Sequence, residues 1–236
     1  MLDRAFTLQC PAKPAAAPSL PAGPCSLAPV TVGSFTGGSW VHPSIDEWSA
    51  GDIVLTRREP PDLGTSAVEF IQSLLLPKEC AEFAHVGLYD GAGHIYEAHP
   101  SLLSSGNFRT KVTDWVNSGS LVHVRRIQGF ITNEAAIAAA AHQQGPPRYR
   151  SLQATYAKDI MRRIFWRRTG GAPVANPSAT TIQSVPGELM CAMYVRALLS
   201  MIMGQTFMDD LPIVLPGDFG DRPDIDCVTT IQWRRY

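Results

Sequence analysis

The sequence predicts an α+β domain, an antiparallel sheet packed against helices, behind a tail rich in Pro, Ala and Gly. Three observations carry this. Strand-length runs, apolar or alternating, recur at 53–57, 84–90, 94–98 and 121–127, two of them joined by a turn signal. Helix-period segments alternate with and follow them, the strongest at Leu189–Met203. Residues 11–30 hold six prolines and six alanines with a single charge, a composition that cannot bury a core. The expected boundary is therefore a tail or linker over 1–46 and a folded domain over 47–236, opening near Trp48.

Each element has its own signal. Gly51-Asp52-Ile53-Val54-Leu55-Thr56-Arg57 reads as a turn feeding a buried strand. Thr65–Leu76 is a short helix with Val68, Ile71, Gln72 and Leu75 on related turns. Ala84–Asp90 alternates: Ala84, Val86 and Leu88 on a core face, His85, Gly87 and Tyr89 on the other. Asp90-Gly91-Ala92-Gly93 is a hairpin signal, and His94–Ala98 is the returning strand. Leu121–Ile127 is a further strand. Asn133–Gln144 is an alanine-rich helix, capped by Thr132 or Asn133 and stopped by Gly145-Pro146-Pro147. Ser151–Arg168 is a second helix and Val228–Trp233 a last strand; 170–186 is loop.

Composition excludes several functions. Twenty basic and twenty-one acidic residues give a net charge of −1, which provides no general grip on nucleic acid. Five cysteines, none in a CxxC pair, argue against a closed zinc site, and there is no phosphate loop and no nucleophile elbow built on serine. The spacing of His94, Glu97 and His99 is not that of a helical zinc motif, so no metal or organic cofactor is expected. The first ten residues lack the apolar stretch of a cleavable export signal, and Leu189–Met203 is too short to span a bilayer. The expectation is a chain made in the cytoplasm, with export by a specialised secretion system left open.

Three residues invite chemistry. Cys191 lies in the first turns of the apolar helix, where unpaired N–H groups and the positive dipole end favour thiolate. Taken alone it reads first as a buried apolar cysteine. His85 stands beside Gly87, whose missing side chain leaves room for a backbone or substrate to approach. If the hairpin loop has three residues and Tyr89 pairs with Gly93, Glu97 comes opposite His85. A carboxylate there would orient the imidazole and stabilise it when protonated; a plain cross-strand hydrogen bond is the other reading.

The set Gly51-Asp52-Ile53-Val54-Leu55-Thr56, Ala84-His85-Val86-Gly87-Leu88-Tyr89, Ile95-Tyr96-Glu97-Ala98 and the helix-start Cys191 resembles the circularly permuted branch of the NlpC-type papain-like cysteine hydrolases. Lecithin:retinol acyltransferase-like enzymes belong to that branch. The resemblance spans roughly residues 49–220, extending to Gly145-Pro146-Pro147-Arg148-Tyr149 and to Leu215-Pro216-Gly217-Asp218-Phe219, which looks like a closing Pro-Gly-Asp turn. It implies a permuted papain-like fold with the nucleophile at a helix N-terminus, and a triad of Cys191, His85 and Glu97. Tyr149 is implied as an oxyanion donor; the residue's other reading is a partly buried tyrosine. Leu189-Met190-Cys191-Ala192-Met193 departs from the family by lacking a polar residue after the nucleophile.

The substrate the resemblance implies first is an amide bond in peptidoglycan peptides. The second is an acyl ester of membrane lipid, and a binding module without activity is a third reading. Arg162, Arg163, Phe165, Trp166, Arg167 and Arg168 form a basic aromatic cluster on a predicted helix, which is either a membrane-surface contact or a solvated helix face. A cell-wall hydrolase without a cleavable signal would suit an antibacterial effector, with an immunity protein or a secretion-system carrier as its partner.

Overall fold

The computed structural model describes residues 30–32, 41–43, 48–57, 63–98, 109–112, 115, 121–145, 154–169, 190–222 and 224–232. Eight strands and six helices occur among them. The strands are β1 (Val30–Val32), β2 (Val41–Pro43), β3 (Ile53–Arg57), β4 (His85–Tyr89), β5 (His94–Tyr96), β6 (Arg109–Lys111), β7 (Leu121–Ile127) and β8 (Ile225–Gln232). The helices are α1 (Leu63–Ser73), α2 (Lys78–Ala81), α3 (Glu134–Gln144), α4 (Ala154–Thr169), α5 (Cys191–Met203) and α6 (Asp218–Asp221).

Six strands form one antiparallel sheet in the order β6-β5-β4-β3-β7-β8. The central strand β3 is apolar without alternation because both of its faces are covered. Ile53 and Leu55 join a large core with Val86, Leu88 and the apolar side of α5, while Val54 joins a second core with Trp48, Tyr89, Ile95, Trp115, Val122 and Val124. The α+β expectation therefore stands as an antiparallel sheet packed with helices. β1 and β2 pair separately, Val30 opposite Pro43, so a short ladder lies inside the stretch read as tail. Three-residue strands, Val-Thr-Val and Val-His-Pro, are too short to give a periodic signal.

α5 starts at Cys191, with Met190 extended at the cap and Gly204 closing the helix in the left-handed region at φ 67°. Val195, Leu198 and Leu199 are fully buried, which seats the helix on the sheet. The cap of α3 is Asn133, whose side chain accepts from Ala136 N at 2.9 Å.

The β4–β5 hairpin differs from expectation by its register. Asp90 N donates to His94 O, and Leu88 pairs with Tyr96, so the three-residue loop is 91–93 rather than 90–92. Asp90 Oδ1 organises the loop by accepting from Ala92 N and His94 N, while Gly91 and Gly93 take φ of 85° and 87°. The shift places Glu97 beside Gly87, not opposite His85. Because the shift is two residues, Glu97 and His85 stay on one face. Gly87 leaves no room for a substrate: a Cβ there would lie 2.2 Å from Ile95 Cγ2. The glycine admits the neighbouring strand instead.

Candidate active site

The sheet and α5 bring three predicted residues together from the first position of β4, the residue after β5, and the first position of α5. Glu97 is the most constrained. It is 3% exposed, and its carboxylate accepts three hydrogen bonds: His85 Nε2 at 2.5 Å and Trp115 Nε1 at 2.6 Å on Oε2, Thr110 Oγ1 at 2.7 Å on Oε1. Burial alone would raise its pKa. The bond and charge of His85, then Thr110 and Trp115, outweigh burial and hold the carboxyl below the usual range.

An ionised carboxylate only accepts, so His85 Nε2 carries a proton and donates it. That leaves Nδ1 as the ring nitrogen for sulfur, and His85 is hydrogen-bonded to Cys191. Burial acts to lower the His85 pKa. The charge and hydrogen bond of Cys191, followed by the hydrogen bond and charge of Glu97, overcome it and raise the pKa to about 10. The side chain retains 20% exposure, so the imidazole is reachable from one side. Trp115 stands by it at 5.8 Å between ring centroids, tilted by 41°.

Cys191 is 5% exposed and carries no disulfide. The first intrahelical bond of α5 runs from Tyr194 N to Met190 O, so the N–H groups of Cys191, Ala192 and Met193 have no helical acceptor behind them. The site thus combines a sulfur at a helix start, an imidazole held protonated, and a locked carboxylate. Such a set can form a thiolate–imidazolium pair.

Thr110 and Trp115 are site residues the sequence reading missed. Thr110 lies on β6, a three-residue edge strand opposite Ile95, too short for an alternation to register, and nothing in sequence ties Trp115 to Glu97. Tyr149 lies outside the described residues. The basic cluster divides across α4. Arg163 turns inward and forms a two-pronged pair with Asp218, at 2.7 Å on each oxygen, and a further bond to Ile213 O. It is therefore unavailable to a membrane surface. Met161 and Phe165 are exposed at 63% and 64%, Arg162 is exposed beside Asp159, and Trp166 is half-buried. The side chains of Arg167 and Arg168 lie outside the described ones.

The remaining candidates have structural places. His123 is buried against the edge of Phe83, and burial with the charge of Arg125 lowers its pKa to about 3, leaving a neutral core histidine. Cys80 is buried in α2, and Cys227 pairs with Arg125 across β7–β8. His94 lies at the hairpin with Nδ1 3.1 Å from Ala92 O. Among the described residues no group of three His, Cys, Asp or Glu is arranged to hold a metal ion, and no helix is long and apolar enough to cross a membrane.

No family model matches the chain, and no curated protein matches it. Among solved structures, it is similar to one described as metalloprotein yiiX from Escherichia coli O157:H7, DUF1105. The two are 14% identical with a TM-score of 0.35, over 80% of this chain and 96% of that one. Likeness at that level assigns neither site nor substrate.

Proposed function

We propose that the chain is a thiol hydrolase of the circularly permuted papain-like type, with Cys191 as nucleophile, His85 as acid and base, and Glu97 as the residue that orients His85. The observation that carries this reading is the continuous bonded series from Cys191 through His85 to the buried Glu97 carboxylate. Cys191 attacks an amide carbonyl, and the backbone N–H of Cys191 stabilises the oxyanion.

The causes of the His85 shift suit the steps that follow. While sulfur is charged, the proton stays on the imidazole. Acylation removes that charge and that hydrogen bond while burial remains, so the pKa falls and His85 gives its proton to the departing amine. The neutral ring then takes a proton from water, which attacks the thioester and returns Cys191. An amine leaves poorly without a proton, so a site that stores one beside the sulfur favours an amide.

The substrate we propose is a peptide bond of peptidoglycan, following the resemblance of the residues around Cys191, His85 and Glu97. An acyl ester of membrane lipid is the second reading, favoured by the exposed Met161 and Phe165 one helical turn apart beside Arg162. Purified peptidoglycan and phospholipid vesicles, each treated with wild type and Cys191→Ala and followed by mass spectrometry, decide between them. Muropeptide release by wild type alone supports the first reading, and free fatty acid the second. Neither product from folded protein overturns both.

A further inference from the structure

We infer that Gln72 is a positioning residue for the Cys191–His85 pair, bridging the lead-in of the histidine strand to the turn that packs on the cysteine helix. This rests on the reading of Cys191 as a nucleophile paired with His85. Gln72 is fully buried near the end of α1, and its amide is fully engaged with backbone. Nε2 donates to Ala81 O at 2.9 Å and to Phe83 O at 2.7 Å; Oε1 accepts from Gly217 N at 2.6 Å.

Both ends of this bridge reach the site. Phe83 is two residues before His85, and the intervening Ala84 N donates to Thr56 O of β3. The lead-in is therefore tied down on both sides. At the other end, Gly217 belongs to a segment that touches α5 directly, since Val214 N donates to Met193 Sδ at 3.3 Å, two residues after Cys191. Arg163 holds the same segment through Ile213 O and Asp218.

The contact has no slack. A Cβ on Gly217 would lie 2.4 Å from Cys80 O and 2.7 Å from Leu76 Cδ1, so the turn is pressed against the segment that leads to His85. Only an uncharged amide supplies two donors and one acceptor in this place. A carboxylate would accept from Gly217 N but oppose two carbonyls. A thioether of similar length would leave all three backbone groups unpaired.

The test is the pH profile of iodoacetamide alkylation at Cys191, located by mass spectrometry, for wild type, Gln72→Met and Gln72→Glu, with folding followed by circular dichroism. Wild type is expected to label at a plateau extending well below pH 7. Gln72→Met is expected to lose it, labelling roughly 10²-fold more slowly at pH 6, as an unpaired thiol does. Gln72→Glu keeps one donor and the acceptor while its carboxyl is protonated. It is expected to label near the wild-type rate at pH 5 and to fall away as the introduced carboxyl ionises. A role in stability alone would leave the profile of the folded molecules unchanged. Folded variants with the wild-type profile overturn the inference; should Gln72→Met not fold, a pH-insensitive Gln72→Glu overturns it alone. A wild type without a plateau, labelling only as an ordinary thiol near pH 8.5, sinks the ion-pair reading itself and this inference with it.

Discussion

Glu97 stands diagonal to His85 across the β4–β5 hairpin, beside Gly87 and one residue past the last ladder pair, and its Oε2 accepts from His85 Nε2 and Trp115 Nε1 together. The diagonal lets the carboxylate meet the ring edge-on at Nε2 while Nδ1 remains for sulfur. Glu97→Gln tests that division. The amide cannot hold the imidazolium by charge and favours the other tautomer, so kcat should fall by about 10³–10⁴-fold, as when the orienting carboxylate of a serine protease is neutralised. Steady-state hydrolysis measures it. Activity within about twofold of wild type would remove Glu97 from the mechanism.

Trp115→Phe deletes one donor to a buried carboxylate and leaves the ring. Glu97 should then protonate at higher pH, moving the acid limb of the rate profile upward, and stability should drop by about 1–3 kcal/mol. Urea unfolding and a pH–rate series follow the two effects separately.

His85 gives stability a pH dependence of definite sign. Its pKa is raised from 6.5 to about 10 in the folded protein, so its contribution is fully present below 6.5 and is lost as pH rises through about 10. Cys191→Ala removes the largest of the causes that raise it. Between about pH 8.5, where the unfolded chain has lost its own thiol proton, and pH 10, the unfolding free energy should fall more steeply for wild type than for Cys191→Ala, and parallel curves would contradict the pairing.

Gly87→Ala should be costly although the residue lies beside the site. A Cβ 2.2 Å from Ile95 Cγ2 forces β5 to move, with an expected loss of about 1–3 kcal/mol and a lower Tm. Since Glu97 directly follows β5, kcat should fall as well. A stable, active variant would show that the hairpin adapts.

Arg163 and Phe165 make a contrast on one helix. Arg163→Ala leaves the buried Asp218 without its charged partner and should destabilise by about 3–5 kcal/mol. Phe165→Ser alters an exposed position and should leave thermal stability and muropeptide release unchanged. If the lipid reading holds, vesicle sedimentation weakens in the second variant alone.

The residues proposed for this site were legible as types at positions. Cys191 in the first turns of an apolar helix, His85 on an alternating strand and Glu97 on the returning strand all follow from local patterns, because helix starts and strand periodicity are properties of a short stretch of chain. So does the hairpin, since Asp90 and its glycines encode a turn.

Tertiary structure decided the rest. Where a glycine-rich loop closes depends on which carbonyls Asp90 and His94 meet, so the register came out two residues from expectation while the shared face survived. Thr110 and Trp115 reach Glu97 from segments 13 and 18 residues away, and Arg163 reaches Asp218 across 55. Of the two roles open to Gly87, room for a backbone or for a substrate, packing selected the first: its missing side chain clears Ile95 of the neighbouring strand. A local pattern states which side chains share a face, whereas partners distant along the chain are selected by packing and by the need to satisfy buried polar groups, which exist only once the sheet and helices have closed.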